Sequence, residues 1–474
     1  MNHTAAAPQS SFVVVSNRLP VDRVVDHQGR EAWSTTPGGL VAALQPVMAD
    51  REAAWVGWPG QAEVSVPAFS SGSTWYHPVT ISATDLEGYY EGFSNSTLWP
   101  LYHDAIVAPD YQLSWWESYQ RVTSAFADRV VDIAASGATV WVHDYQLQLL
   151  PQMLRERRPD LTIGYFHHIP FPSVALLSEM PWCREILDGL LGADLVGCQR
   201  PGDAANLREA ASDLLGLEVS QHAVWARDGR LVAVDAFPIS LDARSIDELA
   251  SRAEVATRAR QIREELGNPR HLFLGVDRLD YTKGIGHRLA TFEELLREGE
   301  LQADTSVFVQ LASPSRESVA QYQRLREDIE AQVTRINDTF GAPERPAVVY
   351  RNQNIARDEM MAYYRAADVM VVSPLRDGMN LVAKEFVATR RDESGVLVLS
   401  EFTGAADELT EALLVDPTDL LAMKRAFMVA ATMSPEEQQR RMHALRETVF
   451  HRDVTVWARE YLAALAKHAG DHDG

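Results

Sequence analysis

The chain has 474 residues, 46% hydrophobic and 23% charged, which is the composition of an ordinary globular protein, and its length predicts two domains of roughly 200 residues rather than one core. Its formal net charge of −22 argues against nucleic-acid and acidic-membrane partners, which need broad basic surfaces, so any phosphate site must be local.

The opening MNHTAAAPQS lacks the basic start and apolar centre of a signal peptide. No stretch approaches the roughly 18 apolar residues that span a bilayer, so a cytoplasmic location is expected. Cys183 and Cys198 are the only cysteines, too few for a disulfide framework or a zinc site, and are expected to be reduced structural thiols.

In chain order, short apolar runs alternate with segments of helical period. FVVVS (12–16), ATVWVHD (138–144), LTIGYFHH (161–168) and ADLVGCQ (193–199) predict strands of a parallel sheet, with stretches such as YQLQLLPQMLRERRP as covering helices. After LVAVDAFPI (231–239) comes a long charged helix, and the pattern restarts with HLFLGVD, TSVFVQLA, AVVYRNQ, DVMVVSP, GVLVLSE and ALLVDP. The predicted class is α/β in two halves, 1–240 and 241–453, with a helical tail in 454–474 able to pack back on the first.

Ligands of parallel sheets bind beyond the carboxyl ends of the strands, and the polar clusters fall there. Asn17 and Arg18 end the first strand, and PGGL (37–40) opens a helix. His143 and Asp144 end another strand, and His168 a third. In the second half RLDYTK (278–283), SPSR (313–316) and RDGMN (376–380) each follow a strand. Such clusters in both halves predict a cleft between two domains.

Two stretches carry the most chemistry. In VDRLDYTKGIG (276–286) the GIG is not a dinucleotide fingerprint, because Leu289 stands where a third glycine is needed. Arg278 and Lys283 instead flank a turn before a helix N-terminus, a combination suited to a diphosphate but also common on solvated surfaces. In VVSPLRDGMNLVAKE (371–385), Gly378 allows close backbone approach, and N–H groups near Asn380, Leu381 and Val382 can face a ligand. Glu385 lies one turn beyond Leu381, and Asp377 stands at the strand end. Amides for phosphate and carboxylates for hydroxyls suit a nucleotide sugar; a merely capped helix fits single residues but not the set.

SNRLP with PGGL, GFSNSTLWP, HDYQL, FHHIPFP, RLDYTKG and PLRDGMNLVAKE, in order from about residue 12 to about 416, together resemble the trehalose-6-phosphate synthase family of retaining glycosyltransferases. The resemblance implies a GT-B architecture, two Rossmann-like domains facing across a cleft with the C-terminal helix crossing back. It implies transfer of glucose from a nucleoside diphosphate to glucose 6-phosphate, forming α,α-trehalose 6-phosphate. On the donor side it implies Arg278 and Lys283 on the diphosphate, Gly39 against it, Glu385 on the ribose, and Asp377 on glucose hydroxyls. It further implies that the backbone around Gly378, Met379, Asn380, Leu381 and Val382 approaches the same donor. For the acceptor it implies Arg18, Tyr90, Trp99, Asp144 and Arg316, with the two arginines and Tyr90 on the phosphate. The resemblance also implies His168 near the anomeric centre, so the expected catalytic set is Arg278, Lys283, Asp377 and His168.

Retaining glycosidases mostly use a carboxylate nucleophile, and no convincing one is present besides Asp377, whose implied role is hydroxyl binding. Front-face substitution is expected, with the leaving phosphate taking the acceptor proton. No metal or other cofactor is expected: the sole Asp-x-Asp, 471–473, sits in a polar tail, and strand alternation turns His167 and His168 apart. Trp115 and Trp116 read as helix core, and Trp55 and Trp58 as strand packing.

RNQNIARDE (351–359) aligns with the base-contacting loop, and places Asn354 and Ile355 where many relatives have histidine and an aromatic residue. An asparagine amide can bond a guanine edge, so UDP-glucose and GDP-glucose stand equal as donors. Asp277 replaces a glutamate frequent in relatives, with no consequence apparent from sequence. Silent sensors and amino-cyclitol-coupling relatives form the alternative class; they usually lose phosphate or acceptor residues that this chain keeps. A homo-oligomer is left open.

Overall fold

The structure, a computed structural model, describes residues 9–25, 31–35, 44, 48, 53–317, 319–342 and 344–470. The chain divides into two units, Met1–Ile239 with Val454–Gly474, and Ser240–Asp453.

In the first unit the apolar runs form β1 (Ser10–Arg18), a hairpin of β2 (Val21–Val25) and β3 (Glu31–Thr35), then β4 (Ala53–Trp58), β5 (Phe69–Ser71) and β6 (Thr74–Pro78). β7 (Ala134–His143), β8 (Thr162–Phe166), β9 (Leu195–Cys198), β10 (Ala223–Trp225) and β11 (Leu231–Ala236) follow. The main sheet runs β10-β11-β9-β8-β7-β1-β4-β6-β5. Only its edge pairs, β10 with β11 and β5 with β6, are antiparallel. The valines of β1 are wholly buried, as expected for a strand covered on both faces. The chain grows outward from β1 through β4 and β6, then resumes on the other side at β7. That reversal puts the ends of β1 and β7 together, with Ser16 opposite His143.

The second unit contains β12 (His271–Arg278), β13 (Ser306–Ser313), β14 (Val348–Arg351), β15 (Val369–Val372), β16 (Val396–Ser400) and β17 (Leu413–Val415). Their order is β14-β13-β12-β15-β16-β17, every pair parallel. Counted within the unit this is the doubly wound 3-2-1-4-5-6 order, whose switch point lies between β12 and β15. Phe273 packs against Phe292 and Phe427, with centroids 5.6 and 5.2 Å away, and anchors the core below that point.

The tail helix Val454–Gly470 belongs to the first unit because two glycines make room for it. A Cβ at Gly164 or Gly197 would lie 2.7 Å from Tyr461. Through that slot the Tyr461 hydroxyl donates to Tyr165 O at 3.0 Å, and its ring stacks on Trp141 at 4.6 Å. Trp457 donates to Phe237 O at 3.1 Å.

Trp55, Trp58 and Trp116 are buried and Trp115 half-buried. Cys183 and Cys198 are free thiols. Among the described residues no helix is long and apolar enough to cross a membrane.

Candidate active site

The second unit's switch point is built from the loops after β12 and β15. Arg278 closes β12 on the surface, and a tight turn, Tyr281–Lys283, leads into the helix Ile285–Arg297. Gly284, at φ +61°, joins them; any side chain there would collide with Ser373 O. Leu375 N donates to Thr282 O at 2.7 Å, so the two loops are stitched through their backbones.

Across this seam Lys283 Nζ lies 2.6 Å from Asp377 Oδ2, with both side chains mostly buried. Asn380 Nδ2 donates to the same carboxylate oxygen at 3.1 Å. Asn380, at φ +87°, also caps the helix Leu381–Thr389, its Oδ1 accepting from Ala383 N at 3.1 Å. The N–H groups of Leu381 and Val382 thereby open a helix, where no intrahelical acceptor exists for them. Asp377 N donates to Phe402 O at 3.1 Å and Met379 O accepts from Ala405 N at 2.8 Å. These bonds, with Gly378 O packed on Gly404, fix the RDGMN loop on the segment after β16. Glu385 accepts from the Tyr364 hydroxyl at 2.8 Å. Burial raises its pKa above the usual value, with Tyr364 opposing. Asn354 is exposed and Ile355 half-buried in the loop after β14.

A buried charge network lies beneath, and sequence reading missed most of it. Arg288, with no exposed surface, donates to Asp277 Oδ2 at 2.6 Å, to Lys283 O at 2.6 Å and to Val371 O at 2.8 Å. It ties the backbone of Lys283 to the strand ends on both sides of the switch point, and gives Asp277 the partner that sequence did not reveal. Asp280 accepts from Thr282 N at 3.0 Å and from Arg316 Nη1 at 2.7 Å. Burial acts to raise the Asp280 pKa, but Arg316, Arg278 and Lys283 outweigh it and hold the carboxyl well below the usual range. Arg316, at φ +49°, is nearly buried and also bonds the Tyr322 hydroxyl. One signal was available: Ile285, Arg288, Leu289 and Phe292 share a helix face, and a cation among core residues needs a buried anion.

In the first unit Arg18 projects from the end of β1. Ser16 Oγ donates to Arg18 O at 2.8 Å, and a Cβ at Gly60 would lie 2.7 Å from the guanidinium. Tyr90 stands half-exposed on a helix whose turns are one residue wider than α, Leu86–Leu98. Asn95 Nδ2 donates to Tyr90 O and Ser96 Oγ to Glu91 O, each five residues back and each 2.8 Å long. Such wide turns concentrate at functional sites. Trp99 is only 4% exposed, its ring 4.1 Å from that of His103.

Asp144 adopts φ +76°, a conformation that costs a side-chain-bearing residue and persists where the surroundings enforce it. Its N–H donates to Phe166 O at 2.8 Å, and its Oδ1 accepts from His168 N at 3.2 Å. His143 Nδ1 lies 3.1 Å from His168 Nε2. Burial holds His168 near pKa 3 although the residue is only half-buried, and holds His143 well below its usual value. His167 turns away, toward the Tyr165 hydroxyl at 3.2 Å. Among the described residues no cluster of His, Cys, Asp or Glu suits a metal ion. Gly39 and the triplet 471–473 lie outside the described residues.

Known proteins are similar to this chain over nearly all of its length. A model described as glycosyltransferase family 20 matches residues 10–467. A trehalose-6-phosphate synthase of Mycobacterium avium (strain 104) is 52% identical over 483 residues, covering 99% of this chain and 98% of that one. A crystal structure of an α,α-trehalose-phosphate synthase (UDP-forming) from Burkholderia vietnamiensis is 33% identical, with TM-score 0.90 and 99% of each chain covered. An α,α-trehalose-phosphate synthase (UDP-forming) from Burkholderia xenovorans in complex with glucose-6-phosphate is 32% identical, with TM-score 0.87, covering 96% of this chain and 100% of that one. With a family model over nearly its full length, a half-identical relative and the same two-sheet α/β fold, the chain belongs to glycosyltransferase family 20, the trehalose-6-phosphate synthase family.

Proposed function

We propose that the protein transfers glucose from a nucleoside-diphosphate glucose to glucose 6-phosphate, with retention, forming α,α-trehalose 6-phosphate. The observation that carries this reading is the meeting of Lys283, Asp377 and the Leu381–Thr389 N-terminus at the second unit's switch point. A cation beside helix amides suits a diphosphate, and a carboxylate within the same loop suits the hydroxyls of the attached sugar. In this reading Arg278 and Lys283 hold the diphosphate, with Gly39 against it. Glu385 binds the ribose, and Gly378 to Val382 line the donor. Arg18, Tyr90, Trp99, Asp144 and Arg316 serve the acceptor, and His168 serves the donor sugar. The units thus act as an acceptor-binding domain and a nucleotide-sugar-binding domain.

Asp377 is poorly suited to be a nucleophile. Lys283 and Asn380 both occupy Oδ2, which engages its charge and fixes its direction. Front-face substitution follows, with no metal required: the leaving phosphate takes the acceptor proton while Arg278 and Lys283 stabilise its charge. The relatives' UDP-forming reaction supports UDP-glucose as donor, and the amide of Asn354 in the base loop supports GDP-glucose. Arg18, Arg278, Lys283, Arg316, Asp377 and Glu385 are all present, against the pattern of a silent relative.

The test is release of nucleoside diphosphate from either donor, with and without glucose 6-phosphate. Release that requires glucose 6-phosphate is expected. Release indifferent to it, or none from either donor, overturns the reading.

A further inference from the structure

We infer that His143 is a positioning residue that fixes the tautomer of His168, so that His168 presents an Nδ1–H donor and holds no free basic nitrogen. The inference deepens the proposed role of His168 at the donor sugar and rests on that reading.

Two imidazole nitrogens 3.1 Å apart, His143 Nδ1 and His168 Nε2, share one hydrogen, so one ring donates and the other accepts. Which does so is decided by the nitrogens at the far sides. Among the described residues His143 Nε2 is buried with no hydrogen-bond partner. His143 itself has no exposed surface, and the rings of Trp141 and Phe166 lie 4.8 and 6.4 Å from its centroid. If the proton sat on Nε2 it would be an orphaned buried N–H, which native structures avoid more strictly than an unfilled acceptor. The proton therefore sits on His143 Nδ1 and is donated to His168 Nε2. Neutral His168 must then carry its own proton on Nδ1. His168 is only half-buried, and its Nδ1 is not among the buried unpartnered atoms of the described residues, so that N–H can reach water or a ligand. Burial keeps both rings neutral, which preserves the single shared hydrogen.

The second anchor of His168 is its main chain, whose N–H donates to Asp144 Oδ1 at 3.2 Å. Ring and backbone are thus fixed by the adjacent His143 and Asp144 at the end of β7. A neutral donor with its other lone pair engaged can bond a sugar oxygen but cannot accept the acceptor's proton. That division leaves the proton to the departing phosphate, as front-face substitution requires.

The direct test is a long-range proton–nitrogen correlation spectrum of the full chain labelled with 15N-histidine, with His168 assigned by the signals lost in His168→Asn. The expected result is a protonated Nδ1 and an unprotonated Nε2 for His168. A protonated Nε2 in the unaltered protein overturns the inference, whatever reaction the protein catalyses. In His143→Leu, His168 should move to its Nε2–H form and turnover should fall between about tenfold and about a hundredfold, while His143→Asn, which restores a donor, should recover most of it. An unchanged His168 tautomer in His143→Leu, or equal losses in the leucine and asparagine variants, overturns the positioning role. Failure of sugar transfer with the expected spectrum would reject the proposed function and leave the tautomer assignment standing.

Discussion

Lys283 and Asp377, 94 residues apart in sequence, meet as a 2.6 Å ion pair across the loops that follow β12 and β15. The pair prepares the site before any ligand binds: Asp377 aims the ammonium, and Arg288 holds the Lys283 backbone that carries it. Removing the lysine should therefore affect chemistry more than folding. For Lys283→Ala the lost charge-assisted contact is worth about 1.5–3 kcal/mol, a fall in turnover of roughly ten- to 150-fold. Turnover near that of the unaltered protein at saturating donor would remove Lys283 from the diphosphate site.

Arg316 is proposed for the acceptor phosphate, yet its guanidinium is bonded to buried Asp280. Arg316→Ala should raise the KM for glucose 6-phosphate far more than that for the nucleotide sugar. It should also cost roughly 3 kcal/mol of stability by stranding the Asp280 charge. The double variant Asp280→Asn/Arg316→Met should recover much of that stability but not the acceptor KM. Equal losses for donor and acceptor in the double variant would contradict an acceptor role.

Acid should destabilise the fold in a defined window. Burial lowers His167 and His168 to about 3 and His77 to about 4, whereas the unfolded chain binds these protons near 6.5. Below that value the unfolded state holds more protons than the native state, so stability falls as pH drops from about 6.5 toward 3 and is retained above. Each histidine adds up to about 1.4 kcal/mol per pH unit to the slope. Denaturant unfolding at pH 7.5, 6 and 5 should show a shallower slope for His168→Gln than for the unaltered chain. Identical slopes would mean that His168 charges as readily in the fold as outside it.

Asn354 lies exposed in the loop after β14. If its amide reads a guanine edge, the contact is worth about 1–3 kcal/mol. The ratio of kcat/KM with GDP-glucose to that with UDP-glucose should then exceed one and drop in Asn354→His. A preference for UDP-glucose in the unaltered chain, or a ratio unmoved by the substitution, would leave Asn354 without a specificity role.

What was legible in sequence had local causes. Runs such as VFVQLA and VMVV could only be buried parallel strands, and the fold class followed from their alternation with amphipathic helices. Gly378, Asn380 and Lys283 announced loops at strand ends because their backbone and charge demands are local. Arg288 and Asp280 stayed hidden because each is explained only by a partner that folding brings to it. The positive φ of Asp144 and the wide turns of Leu86–Leu98 were equally silent. Neither leaves a pattern in residue type, since neighbouring strands and side-chain bonds five residues back enforce them.

The most direct measurement is a proton NMR time course of the protein with glucose 6-phosphate and a nucleoside-diphosphate glucose in excess chelator. The expected product is trehalose 6-phosphate whose new linkage is α on both sugars from the first turnover, formed at the same rate with and without chelator. A β-configured donor residue, or a rate that collapses when divalent ions are removed, would contradict metal-independent transfer with retention.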